Sequence, residues 1–281
     1  MKIWEAIIYA IVGGFTELLP ISFSGHSLLV QNVFHLSPLY SGDGPFVRAG
    51  ISLGIFIALY MVFNREAKES GAIMRNLRSD NSRHRRARRE EQEIKTRMFL
   101  LTIIGFIPML FSFIFLGRAE GIGKLTYVSL FFVLNGLMIL LCTRGAAGNR
   151  GEREVNLFDG IWIGLCRTVS VFPGLSSFGT SLCIGRVRGL NDGVNLRLAY
   201  MITMAFQPVS IAYYFLRGII VGNFYGRTIL SFLVAVLVSA GISLLSLATF
   251  KTVITKNKLR SFMYYCFDAA AIAFIIAIIN G

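Results

Sequence analysis

Charge is scarce in this chain, and acidic charge is the scarcest. Of 281 residues only 15% are charged, with 15 acidic side chains against 28 basic ones, while 54% are hydrophobic. Soluble domains carry about a quarter of their residues as Asp, Glu, Lys and Arg. Long runs nearly free of charge therefore exclude a soluble domain and indicate a polytopic membrane protein. Cysteine is sparse as well: Cys142, Cys166, Cys183 and Cys266 are scattered through apolar surroundings. They show no CxxC or Cys/His spacing, which argues against a disulfide framework or a zinc site. The three histidines, His26, His35 and His84, form no HExxH or comparable ligand set. A net charge of +13 raises nucleic acid as a partner. Its distribution, concentrated in the links between apolar runs, favours a membrane protein with basic loops and no nucleic acid. No cleavable leader is expected, because the first apolar stretch carries the chain's main polar motif.

That motif is Gly13 to Ser27, GGFTELLPISFSGHS. It sets a carboxylate (Glu17), an imidazole (His26), three hydroxyls (Ser22, Ser24 and Ser27) and the helix breakers Pro20 and Gly25 inside an apolar run. Polar groups cost several kcal/mol each in hydrocarbon, so their presence calls for a function. A second stretch of the same makeup, Arg167 to Ser181 (RTVSVFPGLSSFGTS), follows about 150 positions later. Pro20 precedes Ser22, Gly25 and Ser27; Pro173 precedes Ser176, Gly179 and Ser181, with one extra residue between. Two interrupted apolar segments in matching positions of two halves point to a site near the membrane midplane.

Taken in order, residues 3–35 and 157–190 read as re-entrant hairpins, each made of two half-length helices. Full spans are expected near 46–63, 98–117, 125–143, 198–217, 227–249 and 261–280. The expected fold is an all-α polytopic membrane protein, one membrane domain over 1–281, with six transmembrane helices and two re-entrant pairs arranged as inverted-topology repeats. The first repeat covers 1–143 and the second 157–281. The 64–97 link carries eleven Lys and Arg residues (Arg65, Lys68, Arg75, Arg78, Arg83, Arg85, Arg86, Arg88, Arg89, Lys95 and Arg97). By the positive-inside rule it lies in the cytoplasm. Threading from there places 144–156, 186–197 and 251–260 inside and both termini outside, in a plasma membrane. Pairs at i,i+4 (Arg86/Glu90, Glu91/Lys95, Glu93/Arg97) suit a solvated helical extension of the next span. Pro108 and Pro208, each about ten residues before an arginine (Arg118 and Arg217), read as matching kinks of the repeat. Asp268, in the last span, is expected to bond a neighbouring helix or to sit in a polar cavity.

The two stretches resemble the signature of the undecaprenyl-diphosphate phosphatases, the bacitracin-resistance family, approximately EGxTExxPxSSTGH in the first half and PGxSRSGxT in the second. The resemblance implies a membrane enzyme that removes the terminal phosphate of undecaprenyl diphosphate on the outer face, recycling the lipid carrier of cell-wall synthesis. It also implies a divalent cation, Mg2+ or Ca2+, with Glu17 as a ligand. Thr16, Glu17, Pro20, Ser22, Gly25 and His26 stand as in the signature, Ser24 replaces a threonine, and Pro173, Gly174, Ser176 and Gly179 match in the second stretch. Four positions depart: Gly13 stands where the first glutamate is expected, Phe23 for a serine, Ser177 for the arginine and Phe178 for the following serine. An arginine that stabilises charge on a transferring phosphoryl group contributes about 3 kcal/mol or more.

The candidate catalytic residues are therefore Glu17, Ser22, Ser24 and His26, with His26 as base to a serine and Glu17 orienting the imidazole. Glu17 and His26 pairing merely to satisfy each other is the plainer alternative. Ser176, Ser177, Gly179, Thr180 and Ser181 are the candidate phosphate-binding residues. Arg167 and Arg48 are the candidate replacements for the missing arginine, unless they snorkel to an interface. Two functions compete: hydrolysis by reassigned groups, and binding and translocation of a polyprenyl phosphate without cleavage. Oligomeric state, a homodimer included, is left open.

Overall fold

The computed structural model describes residues 1–76, 82–115, 124–145, 148–222, 226–256 and 258–280. Of residues 66, 67, 69–76, 82–85, 87 and 88 it describes the backbone alone. Arg78 and Arg118 lie outside the described residues, as do the side chains of Arg75, Arg83, Arg85 and Arg88.

Among the described residues the architecture is all-helical, without strands. The helices are α1 (Ile3–Thr16), α2 (Phe23–Val33), α3 (Gly44–Asn76), α4 (Ser82–Met109), α5 (Leu125–Cys142), α6 (Leu157–Val169), α7 (Ser177–Val187), α8 (Asp192–Val221), α9 (Gly226–Thr255) and α10 (Ser261–Ile279). Six segments are long and apolar enough to cross a membrane: Gly44–Arg65, Arg89–Phe115, Leu125–Cys142, Asp192–Val221, Gly226–Thr255 and Ser261–Ile279. They coincide with the six expected spans. At about 1.5 Å per residue, α1, α2, α6 and α7 are too short to cross. The basic link is largely helical, since α3 runs on to Asn76 and α4 begins at Ser82. Within it Lys95 meets Glu91 at 2.5 Å.

Each short helix starts where a side chain satisfies otherwise unbonded backbone N–H groups. Ser22 Oγ caps α2 by accepting from Gly25 N, and Ser176 Oγ caps α7 by accepting from Gly179 N. Asn156 and Asp159 form a capping box at the start of α6. The breaks before α2 and α7 fall at Pro20 and Pro173, as the motifs require.

The long helices pack α3 against α8 and α9, and α5 against α10, while α1 lies on α9 and α6 lies on α4. Small residues allow these close approaches. A Cβ on Gly164 of α6 would overlap the carbonyl of Gly105 on α4, and one on Gly54 of α3 would overlap the Ser239 hydroxyl on α9. Between the short helices the two broken segments meet directly. Gly174 N donates to Ser22 Oγ (3.0 Å), and Ser176 Oγ donates to the Leu19 carbonyl (3.1 Å). Asn135 of α5 joins both, donating to the Pro20 carbonyl (2.9 Å) and accepting from Ser176 N (3.0 Å).

One end of the bundle is closed by ion pairs. Asp159, fully buried, receives Arg150 at 2.8 Å and Arg188 at 2.7 Å. Arg186 meets Asp192, Arg197 meets Glu152, and Arg153 meets Glu90.

Candidate anion-binding site

The central cavity opens where the two broken segments meet, with about 730 Å3 of atom-free space counting its open mouth. Its lining brings together Glu17, Ser22, Ser24, Arg48, Arg167, Ser176 and Ser177, residues spread over 160 positions of sequence. Gly179, Thr180, Ser181 and His26 stand behind the lining, not in it.

Both arginines are held inside the protein. Arg48 is 7% exposed and Arg167 is 2% exposed. Arg48, in the first turns of α3, donates to Ser52 Oγ at 3.0 Å and meets Glu17 Oε2 at 3.4 Å. Its guanidinium lies over the rings of Phe23 (4.5 Å) and Tyr214 (5.3 Å). Ser52 in turn meets Ser210 of α8 at 3.0 Å. Arg167, near the end of α6, donates to Ser181 Oγ at 2.7 Å and to the Met109 sulfur at 3.3 Å. Two guanidiniums and one carboxylate leave the cavity with a net positive charge, suited to an anion.

The expected partnership of Glu17 with His26 is not formed. Glu17 turns to Arg48, while the His26 ring is bonded at both nitrogens: Nδ1 lies 2.6 Å from the Ser22 carbonyl and Nε2 lies 2.8 Å from the Tyr265 hydroxyl. A backbone carbonyl can only accept, so Nδ1 carries the proton and Nε2 accepts from Tyr265. The ring packs edge-on to Phe132 and is stacked on Tyr265. The reason is helical geometry: His26 lies four residues beyond Ser22 on α2 and faces α5 and α10, away from the cavity. Ser22 Oγ is also engaged, accepting from two backbone amides and lying 3.1 Å from Ser24 Oγ. Thr180 donates to the Ser176 carbonyl, and Ser181, besides accepting from Arg167, donates to the Ser177 carbonyl. Asp268 differs from expectation too. The buried face of α10 runs through Met263, Cys266, Ala270 and Ala273, which leaves Asp268 exposed on the opposite face.

The four departures have a spatial logic. A Cβ on Gly13 would lie 3.0 Å from Phe23 Cε2 and 2.6 Å from Ile51 Cγ2. The Phe23 ring thus fills the space that a side chain at position 13 would enter, and its face supports Arg48. Phe178 is 1% exposed, stacked on Tyr200 at 4.8 Å, and takes no part in the cavity wall. Ser177 lines the cavity at the position of the missing arginine.

Several residues of the lining and of the layer directly behind it went unforeseen in the sequence. Ser52 follows Arg48 by one helical turn, a signal available at i,i+4. Ser210 and Tyr214 repeat along one face of α8, and Asn135 is a lone amide in an apolar span. Tyr40, Ser112 and Ser170 carried no sequence signal.

The donor set does not fit a divalent cation held by the protein alone. Among the described residues no three His, Cys, Asp or Glu side chains cluster. The single cavity carboxylate faces Arg48, and hard cations want several anionic or carbonyl oxygens.

Comparison with known proteins agrees with the residue pattern. The family model described as Bacitracin resistance protein BacA matches residues 6–272. An undecaprenyl-diphosphatase of Desulforapulum autotrophicum is 25% identical over 98% of this chain and 98% of its own. Undecaprenyl-diphosphatase 1 of Shouchella clausii is 28% identical over 98% of this chain and 96% of its own. An undecaprenyl-diphosphatase of Methanobrevibacter smithii is 25% identical over 98% of both chains. The polar motifs, the six apolar spans and a match over nearly the full length together make this chain a multi-pass membrane protein of the BacA bacitracin-resistance family.

Proposed function

We propose that the protein binds the phosphate end of a polyprenyl phosphate or diphosphate in the central cavity and carries it across the bilayer without cleaving it. The observation that carries this proposal is the pair of buried guanidiniums, Arg48 and Arg167, lining one cavity from opposite halves of the sequence. Together they replace the arginine absent at Ser177 and give a charged, forked hold on phosphate oxygens. Ser24, Ser176 and Ser177 supply neutral hydroxyls around them. Glu17 keeps the emptied cavity from holding two unbalanced cations in a low-dielectric interior.

The reading without cleavage is supported by how two groups of the motif are engaged. Cleaving a phosphoanhydride needs a nucleophile and a group to take its proton. The one imidazole in the motif is bonded at both nitrogens away from the cavity, and Ser22 serves as a helix cap. The carboxylate expected to hold a metal ion, Glu17, faces Arg48 instead.

The layout supports translocation. The exchange in which α1 lies on α9 while α6 lies on α4 supports two repeats, 1–143 and 157–281, each lending its broken pair to the other's spans. In this proposal the broken pairs are re-entrant, of opposite topology, in a single membrane domain of the plasma membrane. The 64–97 link and the ion-paired end face the cytoplasm, and both termini face outside. The cavity is lined by the first turns of α3 and the outer parts of α4 and α8, so it opens outward, and rocking of the two halves would present it inward.

Hydrolysis is the second reading, favoured by Ser24 and Glu17 sharing the cavity wall and by the names of the relatives. One experiment separates the two. Purified protein is given undecaprenyl diphosphate with Mg2+ or Ca2+, with a Glu17→Ala control, while lipid binding is measured in parallel. Binding without phosphate release is the expected result. Release that disappears in the control would overturn the carrier proposal and establish an enzyme.

A further inference from the structure

The α3–α8 interface below the cavity contains polar groups that nothing in the headgroup hold uses. Tyr200, Thr203, Gln207, Ser210 and Tyr214 fall within an arc of about 80° at about 100° per residue, so they form one face of α8. All five are buried. The upper two belong to the cavity lining. Gln207 follows one turn deeper, about 5 Å along the helix from Ser210, and Tyr200 lies about 15 Å along it.

The deeper groups are poorly satisfied. Among the described residues, both side-chain atoms of Gln207, which is 1% exposed, are without a hydrogen-bond partner, and so is the Tyr200 hydroxyl. Thr203 bonds back to the Ala199 carbonyl. The α3 residues that follow Ser52 inward are Ile55, Ala58 and Leu59, all fully buried and apolar, so that helix offers the amide no side-chain partner. Buried polar groups without partners are costly, and each one in a native structure calls for a partner outside the chain, such as water, an ion or a ligand, or for a functional role.

Resting on the carrier function proposed above, the geometry points to the Tyr200–Thr203–Gln207 face as the inward half of the headgroup path, a second resting place for the phosphate below the two arginines. The chemistry suits a hydrated phosphate in transit. The phenol and the primary amide are neutral donors to its oxygens, and the face carries no carboxylate that would repel it or attract a cation. A strong charged hold followed by a weaker neutral one lets the ligand leave as well as enter. Helix α8 spans the membrane in one piece, so this face leads from the cavity toward the ion-paired end near Asp192.

Full-length Gln207→Cys protein in proteoliposomes tests this. A small charged methanethiosulfonate is applied, and modification is read by mass spectrometry at position 207 against the buried Cys183 and Cys266. The expected result is labelling at 207 at least about fivefold faster than at either reference, slowed by farnesyl phosphate. Labelling as slow as at the references overturns the inference, whether or not the protein carries lipid. In vesicles that transfer polyprenyl phosphate, Gln207→Leu and Tyr200→Phe should slow transfer about tenfold while the thermal midpoint stays level or rises. Normal transfer in both variants overturns the inference and leaves the carrier function standing. Absence of transfer in the unsubstituted protein sinks the carrier function, and the labelling result then decides whether the face is a hydrated path.

Discussion

The role of Arg48 can be separated from its structural pairing by removing it in two ways. Arg48→Ala takes away the partner of Glu17, the bond to Ser52 and the cation between Phe23 and Tyr214. Breaking one side of a buried ion pair costs about 3–5 kcal/mol. The 3.4 Å separation and the 14% exposure of the Glu17 side chain place this pair at the lower end. Adding about 1 kcal/mol for the two ring contacts, a loss of about 4 kcal/mol is expected on equilibrium unfolding in detergent. Phosphate affinity should fall about 10- to 100-fold, the worth of one charge-assisted contact of about 1.5–3 kcal/mol. The double substitution Glu17→Gln with Arg48→Met removes both charges at once. Replacing a buried pair by neutral groups of similar volume is close to neutral for stability, so the double variant should recover most of the folding loss and none of the binding. Lipid-phosphate binding measured by isothermal titration or tryptophan quenching reads the second quantity. A double variant that binds as tightly as the unsubstituted protein would refute the assignment of Arg48 to the anion.

Other consequences follow from the same contacts. His26→Ala should destabilise the fold by about 2 kcal/mol through the lost Tyr265 and Ser22 bonds, yet leave phosphate affinity within about twofold; a base at the site would instead show as lost phosphate release. Ser22→Ala should cost about 1–2 kcal/mol through the α2 cap, seen as a lowered thermal midpoint. Asp159 gives a pH signature. Burial would raise its carboxyl, but bonds from Arg150, the Asn156 backbone and Arg188 outweigh that and hold it below the ordinary carboxylate range. A depressed value adds stability that is complete above the unfolded-state pKa, about 4, and is lost as pH falls through the folded-state value. Asp159→Asn should therefore lower stability at neutral pH and flatten the acid limb of the denaturation profile; an unchanged acid limb would contradict the network. Gly164→Leu should disrupt the α4–α6 contact, with unfolding or loss of the monodisperse detergent-solubilised species on size exclusion.

Much of the architecture was legible because hydrocarbon thickness and backbone hydrogen bonding leave few choices. Six apolar runs of sufficient length became six helices, and Pro20 and Pro173 broke the two that were too polar to span. The motif also pointed to residues that meet at the central cavity, Glu17, Ser22 and Ser24, since a carboxylate and hydroxyls are costly to keep out of water. Arg48 and Arg167 were legible as charges in apolar surroundings. That they share one cavity was not, because it depends on α3 and α6 being brought together by helices between them.

Tertiary packing alone decided which partners the polar groups took. Glu17 and His26 are nine positions apart, yet the break at Pro20 turns α2 so that the carboxylate meets Arg48 and the imidazole meets Tyr265, 239 positions away. The sequence likewise showed Gly13 and Phe23 as two separate departures, whereas packing makes them one: the ring occupies the room that the glycine leaves and lies against the guanidinium. Composition and periodicity determine which groups must be buried. The direction in which each buried group points is set by the crossing of helices far apart in the chain, and in a membrane protein that direction decides whether a polar residue holds the fold together or meets the ligand.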